Sequence, residues 1–220
     1  MLEKMEKWGV IFDMDGVLID SYHSHFMSWK QMLKRHGLNI TEEQFSATFG
    51  QTNKDIISKL FPSIRPEEYE LLAEEKEKTF REIIKRDFPE MDGASGLIKA
   101  IHEAGGLLGI GSSGPLKNIK TVLHLLGAER YFQAIVSGND IIHGKPHPEV
   151  FLKAAKKLGL PPSLCVVIED APSGIKAAKA AGCPVVGLTG TVSQDRLAEA
   201  DMVVDSLKKL NPDILKSLIK

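Results

Sequence analysis

The amino-acid sequence predicts an α/β protein with a doubly wound parallel sheet and an inserted α-helical subdomain. Short apolar runs rich in valine and isoleucine recur along the chain: WGVIF, LLGIG, AIVSG, CVVIE, PVVGL and DMVVD. From LLGIG onward these runs alternate with segments of helical periodicity, at 116–126, 149–158 and 173–180. Buried strands that alternate with helices form a parallel sheet covered on both faces, so the pattern predicts a Rossmann-like core.

The alternation is interrupted between the first strand, which ends near Asp13, and the second, which begins near Leu107. The helical segments in this interval are HSHFMSWKQMLKRHG, TEEQFSATF, NKDIISKLF and PEEYELLAEEKEKTFREIIKRDF. DGASGLIKAIHEAGG then predicts a helix that returns the chain to the sheet. We therefore expect a core domain made of residues 1–20 and 90–220, and a helical domain made of residues 21–89.

Local signals predict where the inserted helices begin and end. Gly37 closes the first helix, and Pro66 lies in the first turn of the long one. Thr41 is a predicted N-cap, with Gln44 three residues later completing a capping box. The Glu/Lys-rich stretch 67–85 predicts a solvated helix face. One face of the first helix is predicted to be buried, at Phe26, Trp29 and Leu33.

Composition excludes several classes of function. The chain has 220 residues and a formal net charge of -1, so no overall field draws it to nucleic acid or to an anionic membrane. No segment approaches the ~20 apolar residues that cross a bilayer, and the N-terminus lacks a leader pattern. Cys165 and Cys183 lack metal-ligand spacing, which predicts buried free thiols. We expect a cytoplasmic monomer.

Polar residues follow four of the predicted strands, directly at the ends of three of them and in the loop after the third. In an open α/β sheet the carboxyl ends of the strands form the ligand site, so these residues are expected to meet at one edge. They are Asp13, Asp15 and Gly16 after the first strand, Ser112 and Ser113 after the second, Lys145 after the third, and Glu169 and Asp170 after the fourth.

The charges in this set indicate a reaction class. Neighbouring carboxylates are costly unless a cation or a shared proton relieves them. Mg²⁺ prefers oxygen ligands and could be held by Asp13, Asp15, Glu169 and Asp170. Lys145 and a serine hydroxyl could hold an anion beside it. Together these groups are typical of phosphoryl transfer, in which one aspartate can attack phosphorus and another can move the proton.

Four motifs resemble the haloacid dehalogenase (HAD) superfamily: DMDGVLIDS at 13–21, GSS at 111–113, GKPHPEVF at 144–151 and IEDAPSGIKAAKAAG at 168–182. In order and spacing they span the whole predicted core. The insertion after the first strand resembles the branch with a helical cap, which includes β-phosphoglucomutase and small sugar-phosphate phosphatases. The resemblance implies Mg²⁺ as the cofactor and a small phosphomonoester as the substrate.

The resemblance also implies catalytic roles. Asp13 matches the nucleophile that becomes an aspartyl phosphate. Asp15 matches the general acid and base, and its backbone carbonyl matches a metal contact. Lys145 matches the lysine that compensates the charge on the nucleophile and on the phosphate.

The remaining core residues match binding roles. Ser112 best matches the hydroxyl that holds the phosphate, and Ser113 is the alternative. Gly16 would let the chain turn tightly beside the phosphate, where backbone N–H groups could help to bind it. Asp170 matches a metal ligand, with Glu169 as a second ligand or as a supporting group.

In the helical domain, the resemblance singles out His25 and the segment FGQTNKD at 49–55. His25 is similar to a histidine that β-phosphoglucomutase uses near the reacting groups. Mutases are expected to carry a basic residue for a second phosphate at the position that is Asn53 here. Gln51, Thr52 and Asn53 could instead hydrogen-bond the hydroxyls of a sugar or polyol, which favours a phosphatase.

We therefore predict a Mg²⁺-dependent phosphatase that hydrolyses a small phosphorylated metabolite of the sugar or polyol type. The first alternative is β-phosphoglucomutase, an isomerase that returns the phosphate to the sugar. The second is a phospho-receiver switch, which holds an aspartyl phosphate without metabolic turnover. Asp15 argues against dehalogenation, whose leaving group needs no proton. GIGSSG at 109–114 fits a dinucleotide fingerprint, but alone it is a weak signal and follows the second strand.

Overall fold

The structure is a computed structural model that describes residues 7–49 and 51–219. Its strands form a six-stranded parallel sheet in the order β3-β2-β1-β4-β5-β6. The strands are β1 (Gly9–Phe12), β2 (Leu107–Gly111), β3 (Phe132–Val136), β4 (Cys165–Glu169), β5 (Val185–Leu188) and β6 (Met202–Val204). Each of the six apolar runs contains or overlaps a strand, and the predicted fold class is confirmed.

Helices occupy the segments in which the sequence showed helical periodicity. They are α1 (Tyr22–Arg35), α2 (Glu42–Ser46), α3 (Asn53–Leu60), α4 (Tyr69–Arg86), α5 (Ala94–Glu103), α6 (Leu116–Leu125), α7 (Glu149–Leu158), α8 (Pro172–Ala181) and α9 (Pro212–Ser217). Of these, α9 was not predicted, although Asn211 as N-cap and Pro212 in the first turn are a typical helix start. Within residues 7–49 and 51–219, no helix combines the length and the apolar character that crossing a membrane requires.

The centre of the sheet explains why the site forms where it does. Strand β1 pairs in parallel with β2 on one side and with β4 on the other, and the strand order reverses at this point. Every residue of β1 and β4 is buried, which accounts for their uninterrupted apolar sequences. The carboxyl ends of these two strands therefore lie side by side at a topological switch point, where open α/β sheets bind ligands.

The main apolar core of this α/β unit packs the sheet against α7 and α8. Its buried cluster includes Ile11, Phe151, Val167 and Ile175. Cys165 and Cys183 lie in the same cluster as free thiols, as predicted. Burial raises the pKa of each to about 12, so both stay protonated and act as small apolar groups.

The chain divides into two compact units by its own contacts. One unit, the α/β unit, ends at Asp20 and resumes at Glu90, and the other, the helical unit, is Ser21–Pro89. Within the helical unit α1 packs along α4. The predicted apolar face of α1 is buried, with Trp29 and Leu33 at 1% and 0% exposure. The cluster also contains Phe26, Ile40, Phe45, Ile57 and Leu72.

The capping box predicted at the start of α2 forms. The Gln44 N–H donates to Thr41 Oγ1 over 3.2 Å, and the Thr41 N–H donates to Gln44 Oε1 over 2.9 Å. Two backbone donors at the helix start are satisfied by side chains that the sequence already places three residues apart.

The prediction for α4 was partly wrong. The stretch 67–85 was expected to be a solvated face, yet Lys76 and Glu77 are only 3% and 6% exposed. Lys76 lies between Leu72 and Phe80 at a spacing of four residues, so it shares the stripe of α4 that faces the unit's interior. The sequence contained this signal, because the neighbours one turn away on either side are apolar.

Candidate active site

The loop after β1 carries Asp13 into the switch point. Asp13 is 7% exposed, and its N–H donates to the Ile168 carbonyl over 3.0 Å, which continues the pairing of β1 with β4. Gly16 then adopts a φ of +75°, and a Cβ at this position would overlap the Asp170 carboxylate. Its N–H donates to the Ile19 carbonyl over 2.8 Å. Glycine is therefore needed here to give Asp170 room beside the loop.

Lys145 links the two central strands. Its Nζ donates to Asp13 Oδ1 over 2.9 Å and to Glu169 Oε1 over 2.6 Å, and its side chain is 8% exposed. The ammonium also lies 5.0 Å from the centroid of the Phe151 ring on α7. Burial alone would lower the pKa of Lys145, but the charges of Asp13 and Glu169 outweigh it and raise that pKa. The lysine stays cationic beside Asp13.

Glu169 is hydrogen-bonded to the protein through both of its carboxylate oxygens. While Oε1 accepts from Lys145, Oε2 accepts the N–H groups of Asp170 and Ala171, each over 2.8 Å. Of the two roles considered for Glu169, these contacts favour the supporting one, in which it holds the Lys145 ammonium and the start of the turn into α8.

Three buried carboxylates converge at this point. Ligand oxygens of Asp13, Glu169 and Asp170 lie within 4.8 Å of one another. Burial raises the pKa of Asp13 from 3.8 to about 7; the Lys145 charge opposes this rise, and the Glu169 and Asp15 carboxylates add to it. Burial, then the charges of Glu169 and Asp13, also raises the pKa of Asp170 well above its usual value. One ammonium is not enough to balance this cluster.

The donor set fits a hard divalent cation such as Mg²⁺. The converging groups are carboxylate oxygens, and burial together with the neighbouring carboxylates raises the pKa of Asp13 and of Asp170 in the absence of a cation. Asp13 and Asp170 would hold the ion, and Glu169, which is hydrogen-bonded to Lys145 and to two backbone N–H groups, would support them. The side chain of Asp15 does not join this converging group, which is compatible with the backbone contact implied for it.

The two serines differ in environment. Ser112 is completely buried, and its Oγ accepts the Gly114 N–H over 3.0 Å, so its hydroxyl proton can be donated to an anion. Ser113 is exposed. A Cβ built on Gly114 would lie 3.3 Å from Ser112 Oγ and 3.6 Å from Asp15 Oδ2. The Ser112 hydroxyl and the Asp15 carboxylate therefore flank the same glycine, which favours Ser112 as the phosphate-holding residue.

Removal of metal tests the charge balance of this cluster. In Mg²⁺-free protein we expect stability to fall as pH rises from about 4 to about 7, because folded Asp13 keeps a proton that the unfolded chain releases near 3.8. A cation that binds the ionised cluster offsets this loss. Adding MgCl₂ to EDTA-treated protein should raise Tm by several degrees at pH 8 and by much less at pH 5. For a chain of this size, each kcal/mol of added stability raises Tm by about 2–4 °C.

Differential scanning calorimetry at the two pH values checks this expectation. Asp170→Asn is the matched variant, because it removes a proposed ligand from the same cluster and should reduce the Mg²⁺ effect at pH 8. Equal Tm shifts at pH 5 and pH 8 would contradict the proposed link between the carboxylates and the cation.

Gly174 on α8 allows Glu169 to sit where it does. A Cβ at Gly174 would overlap the Glu169 carboxylate, so Gly174→Ala should push Glu169 and Lys145 out of place. We expect kcat/KM to fall about 100-fold, the scale of a 1 Å misplacement in an active site. Steady-state kinetics with circular dichroism as a folding check measures this.

The control is Gly96→Ala on α5. Gly96 is also helical, and a Cβ there meets no described atom within 4 Å. That change should leave kcat/KM unchanged and add up to about 1 kcal/mol of stability. Near-normal activity in Gly174→Ala would mean that the position of Glu169 is not critical.

In the helical unit, two of the predicted substrate residues share one polar cluster. Lys76 Nζ lies 2.7 Å from His25 Nδ1 and donates to Glu77 Oε1 over 2.8 Å. Asn53 Nδ2 donates to the same Glu77 oxygen over 2.8 Å. The His25 ring stacks on Phe80 with centroids 4.0 Å apart. His25 and Asn53 are therefore brought together by Lys76 and Glu77, which sequence analysis did not identify as site residues.

The other two predicted residues lie at the start of α3. Thr52 is its N-cap: Oγ1 accepts the Asp55 N–H over 3.2 Å and donates to Asp55 Oδ2 over 2.6 Å. Gln51 is exposed, and Gly50, within the segment 49–55, lies outside the described residues. Thr52 thus has a structural role that accounts for its side chain.

Comparisons with known proteins agree with this geometry. The family model described as haloacid dehalogenase-like hydrolase matches residues 10–188. Validoxylamine A 7'-phosphate phosphatase from Streptomyces hygroscopicus subsp. limoneus is 32% identical over 203 residues, which cover 91% of this chain and 94% of that protein. Hexitol phosphatase A from Escherichia coli (strain K12) is 30% identical over 203 residues, with 92% of each chain covered.

A crystal structure of β-phosphoglucomutase from Clostridium difficile superposes with a TM-score of 0.84 at 29% identity, covering 97% of both chains. The resemblance in the motifs, the six-stranded sheet and the family match over most of the chain agree. This chain belongs to the haloacid dehalogenase-like hydrolase family.

Proposed function

We propose that this protein is a Mg²⁺-dependent phosphatase that hydrolyses a small phosphorylated carbohydrate or polyol through an aspartyl phosphate on Asp13. The observation that carries the proposal is the buried arrangement in which Lys145 bridges Asp13 and Glu169 while Asp170 approaches the same point. It provides a nucleophilic carboxylate, a fixed positive charge and oxygen ligands for a cation. Relatives named as phosphatases of phosphorylated carbohydrates support it.

In the first step, an Asp13 carboxylate oxygen attacks phosphorus and the bond to the leaving oxygen breaks. Asp15 donates its proton to that oxygen, so that an alcohol departs. Lys145 and the Ser112 hydroxyl stabilise the charge on the phosphoryl oxygens. Mg²⁺, when bound, would neutralise the negative charge of the nucleophile and of the phosphate together.

In the second step, Asp15 acts as the base and takes a proton from water, which attacks the phosphorus of the aspartyl phosphate. Inorganic phosphate leaves and Asp13 is restored as a carboxylate. The same residue thus serves as acid and then as base, so its protonation state returns to the start after each turnover. Lys145 keeps its contacts throughout.

We propose that the helical unit recognises the hydroxyl groups of the substrate. His25 and Asn53 are polar side chains fixed by the Lys76–Glu77 pair, and Gln51 is exposed nearby in the sequence. The amides of Asn53 and Gln51 and the ring of His25 can hydrogen-bond hydroxyl groups, which suits a sugar or polyol. The cytoplasmic location and the monomeric state remain predictions from the sequence.

The test is a substrate panel with purified protein and Mg²⁺. It includes hexose phosphates, hexitol phosphates, a carboxylate-bearing phosphomonoester and β-glucose 1-phosphate with a trace of glucose 1,6-bisphosphate. Released phosphate and glucose 6-phosphate are both followed. Steady phosphate release, preferring the polyhydroxylated substrates, is expected. Release that favours the carboxylate-bearing ester would contradict the proposed substrate class, and absence of any turnover would contradict the enzyme assignment.

The second candidate is β-phosphoglucomutase activity, which the structural match to the Clostridium difficile enzyme favours. The same panel separates the two, because a mutase forms glucose 6-phosphate without a matching release of phosphate. Asn53, where a basic residue is expected for a second phosphate, supports the phosphatase.

A further inference from the structure

A second cluster of metal-ligating side chains lies outside the acidic site, in the loop between β3 and α7. Ligand atoms of His143, His147 and Glu149 lie within 4.8 Å of one another. Both histidines are exposed, and their ring centroids are 4.6 Å apart at an interplanar angle of 37°. The proposed phosphatase mechanism uses none of these residues, and the HAD motifs do not account for two imidazoles here.

The hydrogen bonds around these groups orient them. His147 Nδ1 accepts the Glu149 N–H over 3.3 Å, which holds the ring beside the first turn of α7. His143 Nδ1 lies 3.3 Å from Glu149 Oε2. A hydrogen bond from Lys153, then one from the His143 N–H, keeps the pKa of Glu149 at about 2, so this carboxylate is ionised at all ordinary pH values.

Glu149 also has a structural task. It accepts the N–H groups of Ile142, over 3.2 Å, and of His143, over 2.9 Å, and it receives Lys153 Nζ over 2.6 Å. These contacts fix the carboxylate in place beside the two histidines. They explain why Glu149 is anchored, but they do not explain why two imidazoles converge on it.

We propose that His143, His147 and Glu149 form a binding site for a borderline transition-metal ion such as Zn²⁺, Ni²⁺ or Cu²⁺. Two imidazole nitrogens and one carboxylate oxygen suit these ions and not Mg²⁺, which prefers oxygen ligands alone. The ion would replace the contact between His143 Nδ1 and Glu149 Oε2. Three protein ligands leave open positions for water or for an inhibitory anion.

The site has a structural consequence for Lys145. The two histidines lie two residues before and two residues after Lys145, and Glu149 begins α7. A bound ion would therefore tie both flanks of the Lys145 segment to the first turn of that helix. The prediction does not depend on the proposed phosphatase activity, because it concerns binding by a separate set of ligands.

Isothermal titration calorimetry tests the site with ZnCl₂ alone as the titrant, tag-free protein and saturating MgCl₂. We expect the double variant His143→Ala/His147→Ala to lose one equivalent of Zn²⁺ or to bind it at least about 10–100-fold more weakly. A loss of about this size already follows when a residue that only hydrogen-bonds a metal ligand is removed. The single variants His143→Gln and His147→Gln should each weaken binding. Circular dichroism confirms that each variant is folded.

The matched control is His124→Ala. His124 is also exposed and also faces a carboxylate, with Nδ1 3.5 Å from Glu129 Oε2, but it has no second imidazole in its cluster among the described residues. Zn²⁺ binding should be unchanged in this variant. Asp170→Asn should affect only any Zn²⁺ bound at the acidic cluster, so the two sites can be told apart.

A spectroscopic measurement identifies the ligands directly. With one equivalent of Cu²⁺, the electron paramagnetic resonance spectrum should show nitrogen superhyperfine coupling that the double variant lacks. Equal Zn²⁺ binding by the double variant and the parent protein, or a Cu²⁺ spectrum without imidazole coupling, would overturn the proposal. If His124→Ala lost as much Zn²⁺ binding as the double variant, the binding would be nonspecific coordination by surface histidines, and the proposed site would be wrong.

Discussion

Asp13→Asn is expected to lower kcat by about 10⁴–10⁶-fold, the range seen when a covalent nucleophile is removed from an enzyme. The amide oxygen is uncharged and cannot form the aspartyl phosphate. The fold should survive, because the asparagine oxygen can still accept from Lys145 and because Lys145 keeps its bond to Glu169. Without Mg²⁺ at pH 8, the variant should be more stable than the parent protein, since one charge of the crowded cluster is gone.

Single-turnover kinetics with rapid acid quench and mass spectrometry measures this result. The parent protein should yield a phosphorylated peptide containing position 13, and the variant should not. Deamidation of the introduced asparagine would slowly restore the aspartate and with it activity, so the mass of the variant is checked before and after the assay. Asp20→Asn is the matched control, because Asp20 is an exposed aspartate in the same segment. Near-normal turnover by Asp13→Asn would exclude the covalent mechanism.

Lys76→Met is expected to destabilise the protein by about 3–5 kcal/mol, because it leaves the Glu77 carboxylate buried without its cation. Glu77 is 6% exposed and receives Lys76 Nζ over 2.8 Å. Burial would raise the pKa of Glu77, but the charges of Lys76 and His25 and the bond from Asn53 lower it to about 2. A loss of this size is a large part of the roughly 5–15 kcal/mol typical of whole proteins.

The lowered pKa of Glu77 predicts how the destabilisation by Lys76→Met varies with pH. The lowered pKa means that the Glu77 carboxylate stabilises the fold fully above its ordinary value of 4.5, and that this contribution is lost as pH falls toward about 2. The difference in stability between Lys76→Met and the parent protein should therefore be largest near neutral pH and should narrow as pH falls toward about 2, because the parent protein loses this contribution there.

Calorimetry and hydrogen exchange of α4 measure the loss. Lys78→Met is the control on the same helix, because Lys78 is exposed and its replacement should change stability by less than about 0.5 kcal/mol. The double variant Lys76→Met/Glu77→Gln should recover much of the loss, since the introduced glutamine is neutral and can still accept from Asn53. If Lys76→Met and Lys78→Met behave alike, the buried pair contributes nothing to stability.

Much of the α/β architecture was readable from local patterns. The runs CVVIE and WGVIF predicted β4 and β1, because strands buried on both faces need apolar residues at every position. Thr41 and Gln44 predicted the start of α2, because a capping box uses contacts only three residues apart. Patterns of this kind depend on near neighbours, and the sequence displays near neighbours directly.

The candidate site was predictable as a set of residues but not as a geometry. Asp13, Lys145 and Glu169 come from distant parts of the chain, and their placement at strand ends or in the loop that follows a strand indicated that they would meet. Glu169 is held by Lys145 and by two backbone N–H groups. The sequence did not predict these contacts, because they depend on how the chain turns from β4 into α8. The overlap that a side chain at Gly174 would cause belongs to the same turn.

By itself the sequence determined the fold class, the strand ends that carry the carboxylates and the lysine, and the family resemblance, because each follows from local apolar patterning or from motif order. Only the tertiary structure decided that Lys76 and Glu77 are buried together with His25 and Asn53, and that His143 and His147 converge on Glu149. The physical reason is that the burial of a charge depends on its partners. Those partners come from other helices and loops, whose packing no single stretch of sequence specifies.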